Sequence, residues 1–264
     1  MPHDPEISTG TGTGTLGKAM SVLEMVAEAD APLRFTEILA RSGQPRGTLH
    51  RQLSHLVEEG LLDTVRDFGY VPGLRLLKLA ARTWERNEFR AIAEPHLRAL
   101  HQLTGETVHL GVLRGTEIIY LDKVESRQSV RMYSQIGNAS PVYCTGVGKA
   151  ALSALTQTDR LSIVEKLTFR PFTATTHADA ASLLADIAAI ETRGHAFDRE
   201  EHETGIRCVA APIWSTDRAF VAGVSVTGPA YRVTMEQLRG WAANVSDAAA
   251  LIMADMAIRL GPRR

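Results

Sequence analysis

The first 73 positions repeat apolar residues at helical spacing three times before the pattern changes to alternation. The helical repeats predict amphipathic helices over residues 16–29, 36–41 and 45–57. Proline is favoured at the start of the third helix, at Pro45, because the first helical amides lack intrahelical acceptors. The alternation that follows predicts two short strands, over residues 62–65 and 69–71. Three helices and a hairpin in this order predict a winged helix-turn-helix domain over residues 16–73.

The third predicted helix has two chemically different faces. Leu49, Leu53 and Leu56 form an apolar stripe at helical spacing. The opposite face presents hydrogen-bond donors and acceptors, and no acid occurs in this helix before Glu58. Such a surface suits a helix in the major groove, because Arg pairs bidentately with guanine and small polar side chains reach bases or phosphates. The predicted DNA contacts are Arg46, Thr48, His50, Arg51 and Ser54 on this helix and Arg66 on the turn between the strands.

Helical spacing of apolar residues continues through residues 74–104, which predicts linker helices between the first domain and the rest of the chain. Pro95 interrupts this segment, and a break or kink is expected there because proline removes an intrahelical hydrogen bond. The apolar stripe of the linker needs a partner surface. Dimerisation through the linker is one interpretation, and packing of the linker on its own domain is the other.

From residue 105 onward, short apolar runs separated by glycine-containing turns replace the helical period. They predict strands over residues 107–113, 117–124, 130–136, 206–214 and 220–227. Helices are predicted over residues 146–155, 180–193 and 234–259, with Thr234 as a cap for the last one. The order of these elements predicts an α+β domain over residues 105–264, in which helices pack on an antiparallel sheet.

Composition favours a globular protein of two domains and excludes a membrane-spanning class. The 264 residues suffice for two domains of ordinary size, and no apolar run reaches the length of a transmembrane helix. Residues 1–15 are rich in Pro, Gly and Thr, and they predict a disordered tail and not a signal peptide. The two cysteines, Cys144 and Cys208, lie far apart in the sequence, which favours free thiols in a cytoplasmic protein.

The net charge gives no general support for nucleic-acid binding. The chain carries a net charge of −1, and residues 1–73 hold six basic against ten acidic side chains. None of these acids lies within residues 44–57, where the charged side chains are Arg46 and Arg51. We therefore expect few phosphate contacts for each subunit and a dimer that doubles them. A winged helix that contacts protein and not DNA is the alternative that this charge leaves open.

Three segments of the second predicted domain carry residues that strand packing alone does not require. Near residue 146 a strand gives way to a helix through two glycines, and free amides at a helix start favour an anion by about 0.3–2 kcal/mol. Asp198 lies in an acidic loop, and Cys208 lies in the segment that follows this loop. Ser225 and Thr227 share one face of an apolar strand. The alternatives are a turn anchored by Asp198, an apolar buried role for Cys208, and hydroxyls bonded to the backbone.

A Cys-dependent hydrolase of small acyl compounds is the alternative function that these residues leave open. Cys208 would be the nucleophile, with His202 or His195 as the base. Cys208 lies within a predicted strand, and no helix start lies nearby to lower the pKa of its thiol, which argues against this function. The two histidines match no common zinc spacing, so the sequence predicts neither a metal site nor a cofactor.

Five motifs give the chain a resemblance to the IclR family of bacterial transcriptional regulators, from residue 16 to about residue 259. They read PRGTLHR from residue 45, ETVHLG from residue 106, YLDKVE from residue 120, CTGVGKA from residue 144 and EHETGIRCVAAP from residue 201. The last is the most specific of them. The resemblance implies a winged helix-turn-helix domain, a linker helix and a GAF-like effector domain, assembled as a dimer or tetramer. It implies a transcriptional regulator and not an enzyme, and it favours repression over activation.

The resemblance also implies an effector site for a small organic acid. The corresponding positions are Met132, Gly146, Val147, Asp198, Ile206, Cys208, Ser225 and Thr227, with backbone amides at 146 and 147 and an apolar wall at 132 and 206. Family members often have a bulky apolar residue near Ser140, and the small polar residue here enlarges or hydrates the pocket. The carboxyl of Asp198 suggests an effector with a hydroxyl or keto group besides its carboxylate. The expected partners are operator DNA, this acid and a second copy of the chain.

Overall fold

The computed structural model describes residues 14–66, 69–128 and 134–260. Two compact units divide the chain, Met1–Arg86 and Asn87–Arg264, so the division falls inside the predicted linker. Residues 1–13 of the predicted tail and Met132 lie outside the described residues. No helix within the described ranges is long and apolar enough to cross a membrane.

The first unit contains a winged helix-turn-helix. Its helices are α1 (Thr15–Ala27), α2 (Phe35–Ser42), α3 (Arg46–Glu58) and α4 (Leu74–Glu85), and its strands are β1 (Leu33–Arg34), β2 (Leu62–Val65) and β3 (Gly69–Pro72). The strands form a three-stranded antiparallel sheet in the order β1-β3-β2. The predicted helices and hairpin are confirmed, with small shifts of their ends. The sequence does not predict β1, because two residues are too few to show alternation.

The turn between α2 and α3 has a local cause in the sequence. Gly43 ends α2 with a φ of +61°, a left-handed conformation that glycine adopts without strain. Pro45 then precedes α3 as its N-cap. The apolar stripe of α3 is buried in the core of this unit, together with Val22 of α1 and Ile38 of α2. This core leaves the polar face of α3 at the surface.

The last helix of the first unit, α4, is amphipathic, but none of its residues is fully buried. Leu74 and Leu77 are 77% and 67% exposed. Within the described part of the chain, α4 therefore presents an apolar surface that nothing covers.

A six-stranded antiparallel sheet with helices on both faces forms the second unit. Its strands are β4 (Thr107–Arg114), β5 (Glu117–Val124), β6 (Ala139–Pro141), β7 (Ala196–Arg199), β8 (Ile206–Trp214) and β9 (Val221–Pro229), in the order β6-β5-β4-β9-β8-β7. Its helices are α5 (Glu88–Thr104), α6 (Gly146–Ala154), α7 (Gln157–Val164), α8 (Ala180–Arg193) and α9 (Met235–Arg259). Residues of α5 and α9 build the core on one face of the sheet, and residues of α6 and α8 build the core on the other. The predicted α+β class is confirmed.

Three elements of the second unit differ from the predicted pattern. The third described strand lies at Ala139–Pro141. Of the strand predicted over residues 130–136, residues 134–136 form no strand, and residues 130–133 lie outside the described ranges. The sequence also does not predict α7 or β7. The four residues of β7 and the weak amphipathicity of α7 give little periodicity to recognise.

Of the break or kink expected at Pro95, the break does not occur. Pro95 lies inside α5, and the helices separate instead at Asn87, whose side chain accepts a hydrogen bond from the Arg90 amide at 2.9 Å. Proline removes one hydrogen bond, but Ile92 and Leu97 on either side of it are buried in the core. Packing of α5 on the sheet therefore outweighs the local preference.

Candidate functional site

Arg46 and His50 lie one turn apart on the exposed face of α3 and share a neighbour, Phe35 at the start of α2. The Arg46 guanidinium lies over the Phe35 ring, 5.3 Å from its centroid, and the centroids of the His50 and Phe35 rings are 6.2 Å apart. A cation over an aromatic face is attracted by the ring and is thereby oriented. Phe35 therefore positions two of the predicted DNA contacts, a role that the sequence does not indicate.

The other predicted DNA contacts also reach the surface. Arg51 is exposed, Thr48 and Ser54 are half-buried, and the helical period places all three on one side of α3. Arg66 directly follows β2 and is exposed. The structure thus brings five of these residues to the surface of α3 and one to the wing.

Gln52 departs from the apolar character of the buried face of α3. Its side chain is 5% exposed, and within the described ranges neither Oε1 nor Nε2 has a hydrogen-bond partner. Leu49, Leu53 and Leu56 share this buried face. A buried polar group without a partner costs about 1–3 kcal/mol, so Gln52 lowers the stability of the first unit.

A cavity of about 270 Å³ opens in the second unit between the sheet and the start of α6. Its wall contains every described residue of the predicted effector site: Gly146, Val147, Asp198, Ile206, Cys208, Ser225 and Thr227. The wall also contains His109, Tyr120, Ser134, Asn138, Ala139, Ser140, Thr145, His202 and Glu203. Residues that are distant in sequence therefore meet around one space.

The register of the sheet explains why these side chains meet. Asp198 of β7, Cys208 of β8 and Thr227 of β9 lie opposite one another in a single row across the sheet. Ser225 lies two residues before Thr227 on β9, and it lies opposite His109 of β4. Side chains two residues apart in a strand share a face, so both rows point to the same side. Strand pairing thus builds the floor of the cavity.

The first turn of α6 forms the opposite wall. Thr145 caps this turn, since its Oγ1 accepts a hydrogen bond from the Gly148 amide at 3.2 Å. Gly146 and Val147 are the first two residues of α6, and their backbone amides have no acceptor within the helix. These amides therefore form the positive end of the helix dipole. A Cβ at Gly146 would lie 2.3 Å from Cys208 Sγ, so only glycine allows α6 to approach β8 this closely.

Asp198 is a buried acid in the cavity wall, and its surroundings favour the protonated form. The residue is 6% exposed, and its Oδ1 accepts a hydrogen bond from the Glu201 amide at 2.8 Å. Burial raises the pKa of Asp198 to about 7, and the negative charge of Glu201 adds to the rise. Near neutral pH this carboxyl can therefore either donate or accept a hydrogen bond.

His109 and Tyr120 contribute uncharged polar groups to the floor. His109 Nε2 and Ser134 Oγ are 2.7 Å apart, and the rings of His109 and Tyr120 are 5.1 Å apart. Burial, with the charge of Lys123 as a second cause, lowers the pKa of His109 to about 3. Burial raises the pKa of Tyr120 to about 12. Sequence reasoning missed both residues, and the available signal was a histidine inside the apolar run of residues 107–113.

The expectation that no helix start lies near Cys208 is wrong, because the Gly146 amide at the start of α6 contacts its sulfur and lowers the pKa of the thiol. Burial has the larger and opposite effect, so Cys208 still lacks the environment of a nucleophile. It is 4% exposed within β8, and burial raises the pKa of its thiol, which stays protonated at neutral pH. The charge of Asp198 opposes the thiolate further. His202 belongs to the cavity wall, whereas His195 packs on Phe197 with the ring centroids 5.0 Å apart. This arrangement gives no support to the hydrolase alternative.

Behind the cavity, a buried lysine joins two acids. Lys149 of α6 is fully buried, and its Nζ donates to Asp186 of α8 at 2.7 Å and to Glu201 at 2.6 Å. His177, Asp186 and Glu201 bring possible metal-ligating atoms within 4.8 Å of one another. The Lys149 ammonium already supplies the positive charge between the two carboxylates, so these residues favour an internal ion pair over a metal ion.

Two known protein domains match the chain over both units. The domain described as bacterial transcriptional regulator IclR C-terminal matches residues 81–254. The domain described as IclR helix-turn-helix matches residues 15–66.

Individual relatives match over nearly the whole chain. The transcriptional repressor IclR of Escherichia coli is 31% identical over 251 residues, which cover 93% of this chain and 92% of that protein. The crystal structure of Thermotoga maritima IclR has a TM-score of 0.69 at 31% identity and covers 94% of this chain and 99% of that one. An IclR homologue from Microbacterium hydrocarbonoxydans, complexed with 4-hydroxybenzoate, has a TM-score of 0.76 at 22% identity, covers 93% of this chain and 100% of that one, and shares the fold.

Proposed function

Because the chain belongs to the IclR family of bacterial transcriptional regulators, we propose that it represses transcription from an operator under the control of a small organic acid. The observation that carries this proposal is the cavity, in which a helix start, a buried acid and two hydroxyls converge. The matched relatives are regulators, so they give no support to the hydrolase alternative.

In this proposal α3 lies in the major groove of the operator. Arg46, Thr48, His50, Arg51 and Ser54 contact bases or phosphates from α3, and Arg66 contacts a phosphate from the wing. The exposed leucines of α4 favour a second copy of the chain as their partner, because contiguous exposed apolar surface marks interaction sites. A dimer, or a tetramer built from two dimers, also supplies the phosphate contacts that one acidic N-terminal unit lacks.

In the cavity, the amides of Gly146 and Val147 receive the carboxylate of the effector. Asp198, Ser225 and Thr227 bond to a second polar group on the acid, and Cys208 packs beside them. Val147 and Ile206, together with Met132 from outside the described residues, form the apolar wall. The described wall consists mostly of hydroxyl groups, polar aromatic rings and carboxyl groups. This composition favours a short hydroxy- or keto-acid over an acid whose remainder is wholly apolar.

No Lys or Arg belongs to the described wall of the cavity. The positive end of α6 and a proton on Asp198 therefore balance the charge of the effector, which favours a monocarboxylate over a dicarboxylate. The acid controls transcription if it binds one arrangement of the assembled protein better than another. A difference of about 1–3 kcal/mol between the two states suffices for useful control.

Separate variants in the two units test this proposal. Mobility-shift assays with the DNA upstream of its own gene are expected to show operator binding by the wild type. The affinity is expected to fall with salt concentration with a slope that corresponds to several phosphate contacts. Arg51→Ala is expected to lose operator binding and keep acid binding in calorimetry. Arg239→Ala, which removes an exposed positive charge from α9, is the control and is expected to bind DNA normally.

Ser225→Ala is expected to show the reverse behaviour, with normal operator binding and no response to the acid. A panel of short hydroxy-, keto- and aromatic acids in a thermal-shift screen identifies the acid to use. Unchanged DNA binding by Arg51→Ala would remove α3 from the groove. Weak DNA binding without salt dependence would favour a winged helix that contacts protein.

A further inference from the structure

The loop that connects β7 to β8, residues 200–205, carries part of the cavity wall, since His202 and Glu203 line the cavity. Glu200 in this loop has a φ of +69°, in a left-handed region that costs residues other than glycine about 1–3 kcal/mol. Its carboxylate accepts a hydrogen bond from Arg207 at 2.7 Å. A strained backbone persists only where its surroundings hold it, so the shape of this wall depends on the contacts around the loop.

Two sets of contacts hold the loop. On one side, the hydroxyls of Thr173 and Thr176 donate hydrogen bonds to the carbonyls of Glu200 and Glu201, each at 2.6 Å. On the other side, the Glu201 carboxylate accepts a hydrogen bond from the buried Lys149 Nζ. Lys149 belongs to α6, whose first turn forms the opposite wall of the cavity. The ion pair of Lys149 and Glu201 therefore ties the two walls together.

Stability alone does not explain this ion pair. The cost of removing two charges from water is comparable to their attraction, and apolar replacements of similar volume are often equally stable. Glu201 is bonded to Lys149 through its side chain and to Asp198 through its backbone amide. One residue thus connects the buried lysine to the acid of the cavity wall.

We propose that Lys149 and Glu201 are a positioning pair for the effector: their ion pair holds the β7–β8 loop against α6 and sets the charge that the cavity presents to a carboxylate. This inference rests on the proposed function, because it requires that the cavity receives an acid. Neither residue belongs to the described cavity wall, and both act through Asp198.

Several ionisable or charged groups surround Asp198. They are Glu201, His202 and Glu203 on its own loop, Cys144 and Lys149 before and within α6, His109 and Tyr120 on β4 and β5, Cys208 on β8, and His177, Asp186 and Arg193 around Lys149. Of these, the charge of Glu201 raises the pKa of Asp198, whereas the backbone amide of Glu201 and the charge of Lys149 lower it. Because Glu201 is an anion and Lys149 a cation, removing each is expected to shift the titration of Asp198 in the opposite direction, so the two signs test whether both residues act on this carboxyl.

The test is a titration of the Asp198 carboxyl in the full chain, followed by nuclear magnetic resonance with carbon-13 in the aspartate carboxyls. The loss of one signal in Asp198→Asn identifies it. Glu201→Gln is expected to lower the titration midpoint by about one to two pH units, because a neighbouring negative charge is removed. Lys149→Met is expected to raise the midpoint, because a neighbouring positive charge is removed.

Asp186→Asn is the matched control, since it also takes a carboxylate from Lys149 but has no hydrogen bond to the β7–β8 loop. Its midpoint is expected to stay close to that of the wild type. Equal shifts in Asp186→Asn and Glu201→Gln, or no shift in Glu201→Gln, would overturn the proposal. If Lys149→Met does not fold, these two variants alone decide.

Acid binding separates this inference from the proposed function. Pyruvate, glycerate and 4-hydroxybenzoate serve as probes in calorimetry, together with operator binding. The wild-type affinity is expected to fall by up to about tenfold for each pH unit once Asp198 loses its proton, and in Glu201→Gln the fall begins at lower pH. Identical pH profiles would contradict the positioning pair. A wild type that neither binds nor responds to any probe would contradict the proposed function and leave the titration result standing.

Discussion

Replacing Asp198 by asparagine isolates the energetic cost of the buried acid in the cavity wall. The pKa of Asp198 rises from 3.8 in the unfolded chain to about 7 in the folded protein, and each unit corresponds to about 1.36 kcal/mol. The folded state therefore binds this proton more tightly than the unfolded state. Below about pH 4 both states are protonated, and the full stability is present. As the pH rises to about 7, this carboxyl alone lowers the free energy of unfolding by about 4 kcal/mol.

The Asp198→Asn side chain cannot ionise, so the variant escapes this loss. Near pH 4 the wild type and the variant are expected to have similar free energies of unfolding, because both side chains are then uncharged. Above about pH 7 the variant is expected to be more stable by about 4 kcal/mol, with no further gain at higher pH.

Urea unfolding of the full chain over this pH interval measures the effect. Fluorescence of Trp214 and Trp241 in a Trp84→Phe background reports on the second unit alone. Asp217→Asn is the control, because the exposed Asp217 accepts a hydrogen bond from the Ser215 hydroxyl, which lowers its pKa. Because the folded-state pKa of Asp217 lies below 3.8, its charge changes the stability mainly below about pH 4, and this control is expected to keep a nearly constant difference from the wild type between about pH 4 and 7. A stability difference between wild type and Asp198→Asn that stays constant with pH would refute the reasoning.

Three further predictions concern other parts of the molecule. Gln52→Leu is expected to stabilise the first unit by about 1–3 kcal/mol, measured by hydrogen exchange of α3, because it removes an unpaired buried amide. The control His55→Leu, at an exposed position, is expected to change the stability little. No gain over the control would mean that the Gln52 amide is hydrogen-bonded. Gly146→Ala is expected to weaken acid binding about tenfold in calorimetry, because its Cβ would lie 2.3 Å from Cys208 Sγ, and the added change Cys208→Ala is expected to recover part of the loss; wild-type affinity in the single variant would contradict the close approach. Cys144 and Cys208 are expected to react with iodoacetamide far more slowly in the folded protein than in urea, because burial raises the pKa of both thiols. Fast labelling of Cys208 in the folded protein would instead support a nucleophilic role.

The sequence predicts the elements that repeat an apolar period over many residues. The stripe of Leu49, Leu53 and Leu56 identifies α3 because each of these side chains is buried in the same core. Pro95 shows the limit of local reasoning, since its effect on the helix is outweighed by contacts with strands that follow later in the chain. Short elements such as β1 carry no period and depend wholly on their partners.

The candidate site was predictable only in part, because strand register is not visible in one sequence. Asp198, Cys208 and Thr227 stand out as polar residues or through the family resemblance, yet nothing local shows that they form a row across the sheet. His109 joins them only because β4 pairs with β9. Lys149 is a further example, since its acids lie 37 and 52 positions away.

The alternation of faces along β8 and β9 separates the residues that line the cavity from the residues that build the core. Val224 and Val226 belong to the core with α5 and α9, whereas Ser225 and Thr227, which alternate with them, line the cavity. Val209 faces that same core from β8. Under the proposed function, substitutions at alternate positions can therefore accumulate during evolution and change which metabolite is recognised, while the neighbouring residues keep the scaffold intact.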